Sequence, residues 1–356
     1  MKQRSHFILS LLFPLQIALV SIAAKFPQFI ETYYSNGIYP YLSKMERYAL
    51  GWLPFSFGDL FYSVLIIGLI RWIYLRIKSR FKKPKHWILE GIATLSIIYF
   101  CFHAFWGLNY YRLPLHQSLE IKHEYSQEQL ISFTKKLAKK ANELHSNLAK
   151  NDTLKVDFLF KNSEIRKIAV DGYKNIEEEY PELTYQAKSV KPSLFSIPLT
   201  YMGFNGYLNP FTGEAQVNNQ IPKFKLPSTT SHEMGHQIGF AKENEANFMA
   251  CLTTMNHPDP YFKYAGYTFA LKYCLGEVYV TDPCEAENII AMLNLGIRKN
   301  YWEVQQFWVE HENPLEPFFK IFYGSYLKAN NQPQGIKSYN YVVALLVNYF
   351  EGEHQL

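Results

Sequence analysis

His232, Glu233 and His236 form an H-E-x-x-H pattern within Ser228-Thr229-Thr230-Ser231-His232-Glu233-Met234-Gly235-His236-Gln237-Ile238-Gly239-Phe240. On a helix, residues four apart share a face, so both imidazoles can bind one Zn2+ ion. Glu233 then sits beside the ion. Zinc lowers the pKa of its water to roughly 7, and a neighbouring carboxylate can take the proton as that water attacks a carbonyl. A catalytic zinc also needs a third protein ligand and one open position. The sequel Gly239-Phe240-Ala241-Lys242-Glu243-Asn244-Glu245-Ala246-Asn247-Phe248 offers two glutamates. Glu243 lies about 10.5 Å beyond His236 on an unbroken helix, too far for both to hold one ion. The helix must stop between them, and Gly239 is the residue type that permits it. A second helix from near Lys242 would turn Glu243 back to the metal. Glu245, about 200° round that helix, would face elsewhere.

The metal helix is opened by Pro227, with Ser228 or a neighbouring hydroxyl as its expected cap. From there onward, apolar residues recur at spacings of three and four over residues 243–256, 264–275, 284–296, 301–309, 317–329 and 338–350, which predicts an all-helical second half. Residues 126–150 begin with a capping box, Ser126-Gln127-Glu128-Gln129, and read as an amphipathic helix with Lys135, Lys136, Lys139 and Lys140 on its wet side. Residues 156–160 read as a strand and 163–180 as a helix. Residues 207–218 read as two short strands around an Asn-Pro-Phe-Thr-Gly turn.

Ahead of these elements stand three apolar runs at about 7–24, 57–75 and 88–108. The first is about 27 Å long as a helix, close to a hydrocarbon core. A signal peptide ending at Ser21-Ile22-Ala23 is its rival reading. Between the second and third runs lie Arg76, Lys78, Arg80, Lys82, Lys83 and Lys85 without one acid, a strong signal for a cytoplasmic loop. The chain therefore reads as a membrane domain over 1–112 with three crossings and an extracytoplasmic domain over 113–356. Asp59, Arg71 and Glu90 are expected to rest at headgroup level, and His103 at the outer interface beside Trp106.

Of the 356 residues, 48% are apolar and 17% aromatic, which excludes a disordered tail, a collagen-like rod or a coiled coil. Residues 1–112 hold 13 Lys and Arg against 4 Asp and Glu, and the remainder 23 against 27. The folded part is thus slightly acidic, which argues against nucleic acid as a partner. Cys101, Cys251, Cys274 and Cys284 are spaced unlike a zinc site. Buried free thiols are expected, with a Cys274–Cys284 disulfide as the alternative.

H-E-x-x-H followed by Glu243-Asn244-Glu245-Ala246-Asn247 resembles the gluzincin metallopeptidases. That resemblance implies His232, His236 and Glu243 as zinc ligands and Glu233 as the base. It places Asn247 where the family usually has an aspartate orienting the first histidine. It also implies a zincin-like domain with an edge strand before the metal helix, for which residues 214–218 are the candidate, and a group that stabilises the oxyanion. Tyr207, Tyr201 and Tyr339 are of the right chemical type.

Over nearly its full length the chain also resembles a family of bacterial membrane proteins known as domain of unknown function 3810. The similar stretches are Trp106-Gly107-Leu108-Asn109-Tyr110-Tyr111-Arg112, Ser193-Leu194-Phe195, Tyr201-Met202-Gly203, Gly206 to Ala215 and the H-E-x-x-H block. The expected fold is mainly α, with three N-terminal transmembrane helices followed by a zincin-like α+β extracytoplasmic domain carrying a small edge sheet. The expected function is a zinc metallopeptidase of the bacterial cytoplasmic membrane, multi-pass, with Zn2+ as cofactor. Its partners would be the lipid bilayer and a peptide or protein substrate of the envelope. The alternatives are a zinc-stabilised scaffold without activity, a zinc amidase acting on a cell-wall precursor, and a binding protein using its tyrosine-rich surface.

Overall fold

The apolar runs become three long helices, α1 (Lys2–Ala23), α3 (Phe57–Lys78) and α4 (Pro84–Phe105), and α2 (Tyr39–Leu50) lies between the first two. The structure is a computed structural model that describes residues 2–350, and it is mainly helical. Each of the three is long and apolar enough to cross a membrane. Their apolar side chains, among them Leu11, Val64, Ile67 and Leu95, are exposed rather than packed inside the protein. Local chemistry fixes the ends. Ser56 Oγ accepts from Asp59 N at 3.0 Å to cap α3, and Pro84 occupies the first turn of α4, where its missing N–H costs nothing. The third helix ends at Phe105, short of the expected 108, because Trp106 leaves helical geometry and residues Gly107–Tyr111 tighten into a 3-10 turn. The far ends of α3 and α4 are tied by an Arg76–Glu90 ion pair of 2.7 Å, joined by Trp72 Nε1.

Nothing in the hydrophobic pattern marks residues 25–56 as more than a connection, yet they fold back onto the C-terminal half. A wide π-type helix over Ile30–Ile38 leads into α2. Ile30, Tyr34 and Tyr39 pack with Trp106, Tyr110 and Ala241 in a small apolar cluster of their own.

The larger core lies in the C-terminal half. Ser126 and Gln129 form the reciprocal cap expected for α5 (Gln127–Leu148), which buries Leu130, Phe133, Leu137 and Ala141. Residues 156–160 form no strand. Instead Asn300 bonds both the N–H and the C=O of Val156, at 3.0 and 3.1 Å, so one side chain does the work of a partner strand. The helix expected over 163–180 is two short pieces, Asn162–Ile168 and Val170–Lys174.

The small sheet has the order β1-β3-β2, with β1 (Val190–Pro192) parallel and β2 (Gly206–Leu208) antiparallel to β3 (Ala215–Val217). The short helix α6 (Ser196–Met202) connects β1 to β2. The strand at 214–218 is therefore the middle of the sheet, not its edge. Its three residues are fully buried and both its sides are paired. The sheet's two edges are β1 and β2, and β2 is the one beside Glu233.

Beyond the sheet come α7 (Leu226–Gln237), α8 (Glu243–Met255), α9 (Pro260–Thr281), α10 (Pro283–Met292), α11 (Leu295–Val309), α12 (Glu316–Ala329) and α13 (Val342–Phe350). All four cysteines are free thiols, Cys251 and Cys274 buried and Cys284 exposed.

Candidate metal centre

Every residue of α7 is buried, so this helix runs through the middle of the protein and its polar side chains must find partners inside. Ser228 is not its cap. The helix starts two residues earlier from a 3-10 turn at Lys223–Lys225, and Ser228 Oγ donates to Ala265 O of α9 at 3.2 Å. Its C-terminus is closed by Gly239 at φ +99°. Gly239 N bonds His236 O at 3.1 Å and Phe240 N bonds Gly235 O at 3.2 Å, a Schellman closure that turns the chain into α8. A β-carbon on Gly239 would also fall 3.1 Å from the Tyr39 ring. Gly239→Ala is expected to cost about 1–3 kcal/mol. An unchanged denaturation midpoint would show that the turn tolerates a side chain.

The turn brings three side chains together. The ligand atoms of His232, His236 and Glu243 all lie within 4.8 Å of one another. Glu243 Oε2 is 3.2 Å from His232 Nε2 and 3.6 Å from His236 Nε2. Each imidazole is held by its other nitrogen: His232 Nδ1 lies 2.9 Å from Asn247 Oδ1, and His236 Nδ1 2.7 Å from Phe240 O. Both acceptors require a proton on Nδ1, so in the neutral rings the Nε2 lone pairs face Glu243. Asn247 is itself oriented by donating to Tyr273 Oη at 3.1 Å. Glu245 points away, accepting from Leu115 N at 3.0 Å and facing Lys242 at 3.4 Å.

Glu233 is buried beside β2. A β-carbon on Gly206 would lie 2.7 Å from Glu233 Oε1, so only glycine leaves room for this carboxylate. Glu233 Oε2 and Glu243 Oε2 have no hydrogen-bond partner among the described residues. Burial pushes Glu233 up to about 7, against the pull of the two histidines. For His236, burial alone would lower the pKa, but the Glu243 carboxylate beside it raises it to about 9. Burial would likewise raise Glu243, yet His236 and His232 hold it well below the usual carboxylate range. Two carboxylates against two imidazoles make a pocket that favours positive charge at its centre.

Groups distant in sequence lock the end of α7. Tyr39 Oη and Ser43 Oγ donate to Gln237 O at 2.9 and 2.7 Å, and Trp106 Nε1 donates to His236 O at 3.2 Å. Arg112 donates to Gly239 O at 3.2 Å while its guanidinium grips Glu31 through two bonds of 2.9 and 2.5 Å. The start of α3 is tied to the sheet in the same manner. Glu214 accepts from Phe57 N and Gly58 N at 3.2 and 2.5 Å, a carboxylate on a helix N-terminus. Asp59, expected at headgroup level, is fully buried. It accepts from Leu194 N at 2.7 Å, from Ser193 Oγ at 3.1 Å and from the Tyr207 hydroxyl of β2.

Tyr207 is thus committed to Asp59. Tyr201 is half-exposed and packs on His311, and the side chain of Tyr339 lies outside the described residues. The tyrosine at the centre is Tyr323 of α12, which donates to Glu243 Oε1 at 2.6 Å. Among 27 tyrosines no spacing singles it out.

A cavity of about 1400 Å3 opens onto His232, Glu233, His236 and Glu243. Toward α1, α3 and α4 it is lined by Phe13, Tyr62, Leu95, Ile98, Tyr99 and Phe102. Toward α9 and α11 it is lined by Lys225, Lys272, Tyr301 and Trp308. Lys225 Nζ donates to Asn205 Oδ1 at 2.7 Å, and burial, reinforced by Lys272, lowers its pKa to about 7.

The family model described as a protein of unknown function (DUF3810) matches residues 34–347. No curated protein and no solved structure matches the chain.

Proposed function

We propose that this chain, which belongs to the DUF3810 family, is a membrane-anchored zinc metallopeptidase acting on envelope or membrane-proximal substrates. The observation that carries the reading is the convergence of two imidazole nitrogens and one buried carboxylate oxygen within 4.8 Å, with a second buried carboxylate alongside. Two histidines and a glutamate are a donor set of catalytic zinc sites, and three protein ligands leave one position open. The residues fit the ion in detail. With each Nδ1 turned to an oxygen acceptor, each Nε2 can present its lone pair to an ion once its ring is neutral, and Glu243 Oε2 is a buried carboxylate oxygen beside both.

Bound zinc supplies a lowered water pKa and polarisation of the substrate carbonyl. The chain does the rest. Glu233 takes one proton from the attacking water and delivers it to the leaving nitrogen, so the C–N bond breaks as a C–O bond forms and one water is consumed. Tyr323 holds Glu243, and Asn247 holds His232. In the antiparallel ladder, residues 205, 207 and 209 exchange bonds with β3, so the backbone groups of Gly206 and Leu208 point to the free edge. An extended peptide can add there, directly above Glu233. A short sheet with its edge beside the metal helix is the support for a zincin-like fold.

The helices support the location. The folded part sits at the start of α3 and the end of α4, and the basic turn between them lies at the opposite end. A cytoplasmic basic turn then places the folded part outside the cytoplasm.

The test is cleavage of a mixed peptide library by zinc-loaded full-length protein in lipid nanodiscs. Wild type is expected to release products about 10²–10⁴ times faster than Glu233→Gln. Equal product profiles from the two metal-replete proteins would leave the scaffold alternative standing instead.

A further inference from the structure

The cavity around the candidate zinc centre has two chemically different ends. The metal helix and the edge strand both run between them. At the start of α7 stands Lys225, bonded to Asn205 immediately before β2. At the other end of α7 stands Trp106, bonded to His236 O at the close of α4. The far end of β2 faces α3, where Tyr207 stacks on Tyr62 and Phe211 meets Phe61. A molecule lying along β2 across Glu233 therefore has lysines at one end and apolar helices at the other.

The apolar end is deep. Leu95 and Ile98 line it, and Leu95 lies about 15 Å along α4 from the helix end at Phe105, near the level of a bilayer midplane. Phe13, near the middle of α1, lines it as well. Ile98 and Phe102 continue this apolar lining toward the site, the surface a hydrocarbon chain would lie against. The other end carries two lysines. Lys225 and Lys272 face the same space, and neither is paired with a carboxylate among the described residues. Two lysines on one cavity wall without an internal counter-ion favour an anion from outside the chain, which would restore the charged form that burial disfavours.

We propose that the substrate is an acylated peptide with a carboxylate, its hydrocarbon chain in the apolar arm, its scissile bond beside Glu233 and its carboxylate at Lys225 and Lys272. This rests on the hydrolase reading for the bond that is cut, but the binding arrangement is measurable without cleavage.

The probe is a short N-palmitoyl peptide with a free C-terminal carboxylate and a diazirine at the tip of the acyl chain. It is cross-linked to full-length protein in phosphatidylcholine nanodiscs and mapped by mass spectrometry. Labelling is expected on α3 and α4. Unlabelled palmitoyl peptide acid should compete, and the acetyl peptide acid and the palmitoyl peptide amide should compete about tenfold less well. Ile98→Trp fills the apolar arm from a half-exposed position and should cut labelling about tenfold, with an unchanged melting temperature confirming the fold. Lys225→Gln with Lys272→Gln should keep chain labelling and erase the difference between acid and amide.

Competition by palmitate or added phosphatidylcholine as effective as by the peptide acid would mean that a bilayer lipid occupies the cavity, and would overturn the proposal. So would labelling confined to the outer faces of α1 and α3. Zinc content is determined separately on the same samples. Specific labelling on a chain that binds no zinc would sink the hydrolase reading and leave the binding arrangement, and zinc retention without labelling would do the reverse.

Discussion

Wild type, Glu233→Gln and Glu245→Ala are expected to purify with about one zinc ion per chain, and Glu243→Ala, His232→Ala and His236→Ala with little or none. The geometry dictates the division. Glu243 Oε2 reaches both imidazoles, whereas Glu245 is turned to Leu115 N and Lys242. Glu233 lies beside the three converging atoms and is not among them. Asn247→Ala should hold the ion about 10–100 times more weakly, because the His232 ring loses the acceptor that fixes its tautomer. Elemental analysis of the purified proteins reads the series directly. Retention by Glu243→Ala together with loss in Glu245→Ala would reassign the third ligand. A wild type that cannot be loaded at all would end the metallopeptidase reading.

Arg112→Ala and Glu31→Ala should each destabilise the protein by about 3–5 kcal/mol, because the partner is left as an unpaired buried charge. Their side chains are only 6% and 9% exposed. Arg112→Ala also strips Gly239 O of a donor and removes the guanidinium 4.7 Å above the Phe240 ring. For a folded part of this size the loss corresponds to a fall in melting temperature on the order of 10 °C. Replacing the pair together, as Glu31→Gln with Arg112→Met, should recover a good part of it, since no lone charge remains. A melting temperature within about 2 °C of wild type for either single substitution would show that water reaches this pair. Differential scanning fluorimetry in detergent is sufficient to decide.

The candidate site was legible in outline because its chemistry is local. His232, Glu233, His236, Glu243 and Asn247 lie on two helices joined by one glycine turn, and helix periodicity with a left-handed stop is enough to place them. The groups that lock this unit were not legible. Tyr39, Ser43, Trp106 and Arg112 come from more than a hundred residues away, and their partners are main-chain oxygens, which leave no mark in a sequence. The Trp106–Arg112 block could be recognised as a stretch, but nothing in it announces an indole and a guanidinium aimed at a helix end. The sheet was misread for a related reason. Residues 215–217 have the composition of a short strand, and which of two paired strands lies outermost depends on where β1 docks, a contact the alternation of residues does not encode. Three long apolar helices, by contrast, declare themselves by length and composition alone.

The carboxylates of Glu214 and Asp59, which clamp the first turn of α3 to the sheet, make that junction rigid. With α3 seated in a bilayer, no flexible tether separates the lipid surface from Glu233, so the height of Glu233 above the hydrocarbon is fixed by the fold. On the proposed hydrolase reading, the protein works as a ruler. An extended chain climbs about 3.3 Å per residue, so among otherwise equal sequences the bond cut is the one that stands a set number of residues from its membrane anchor.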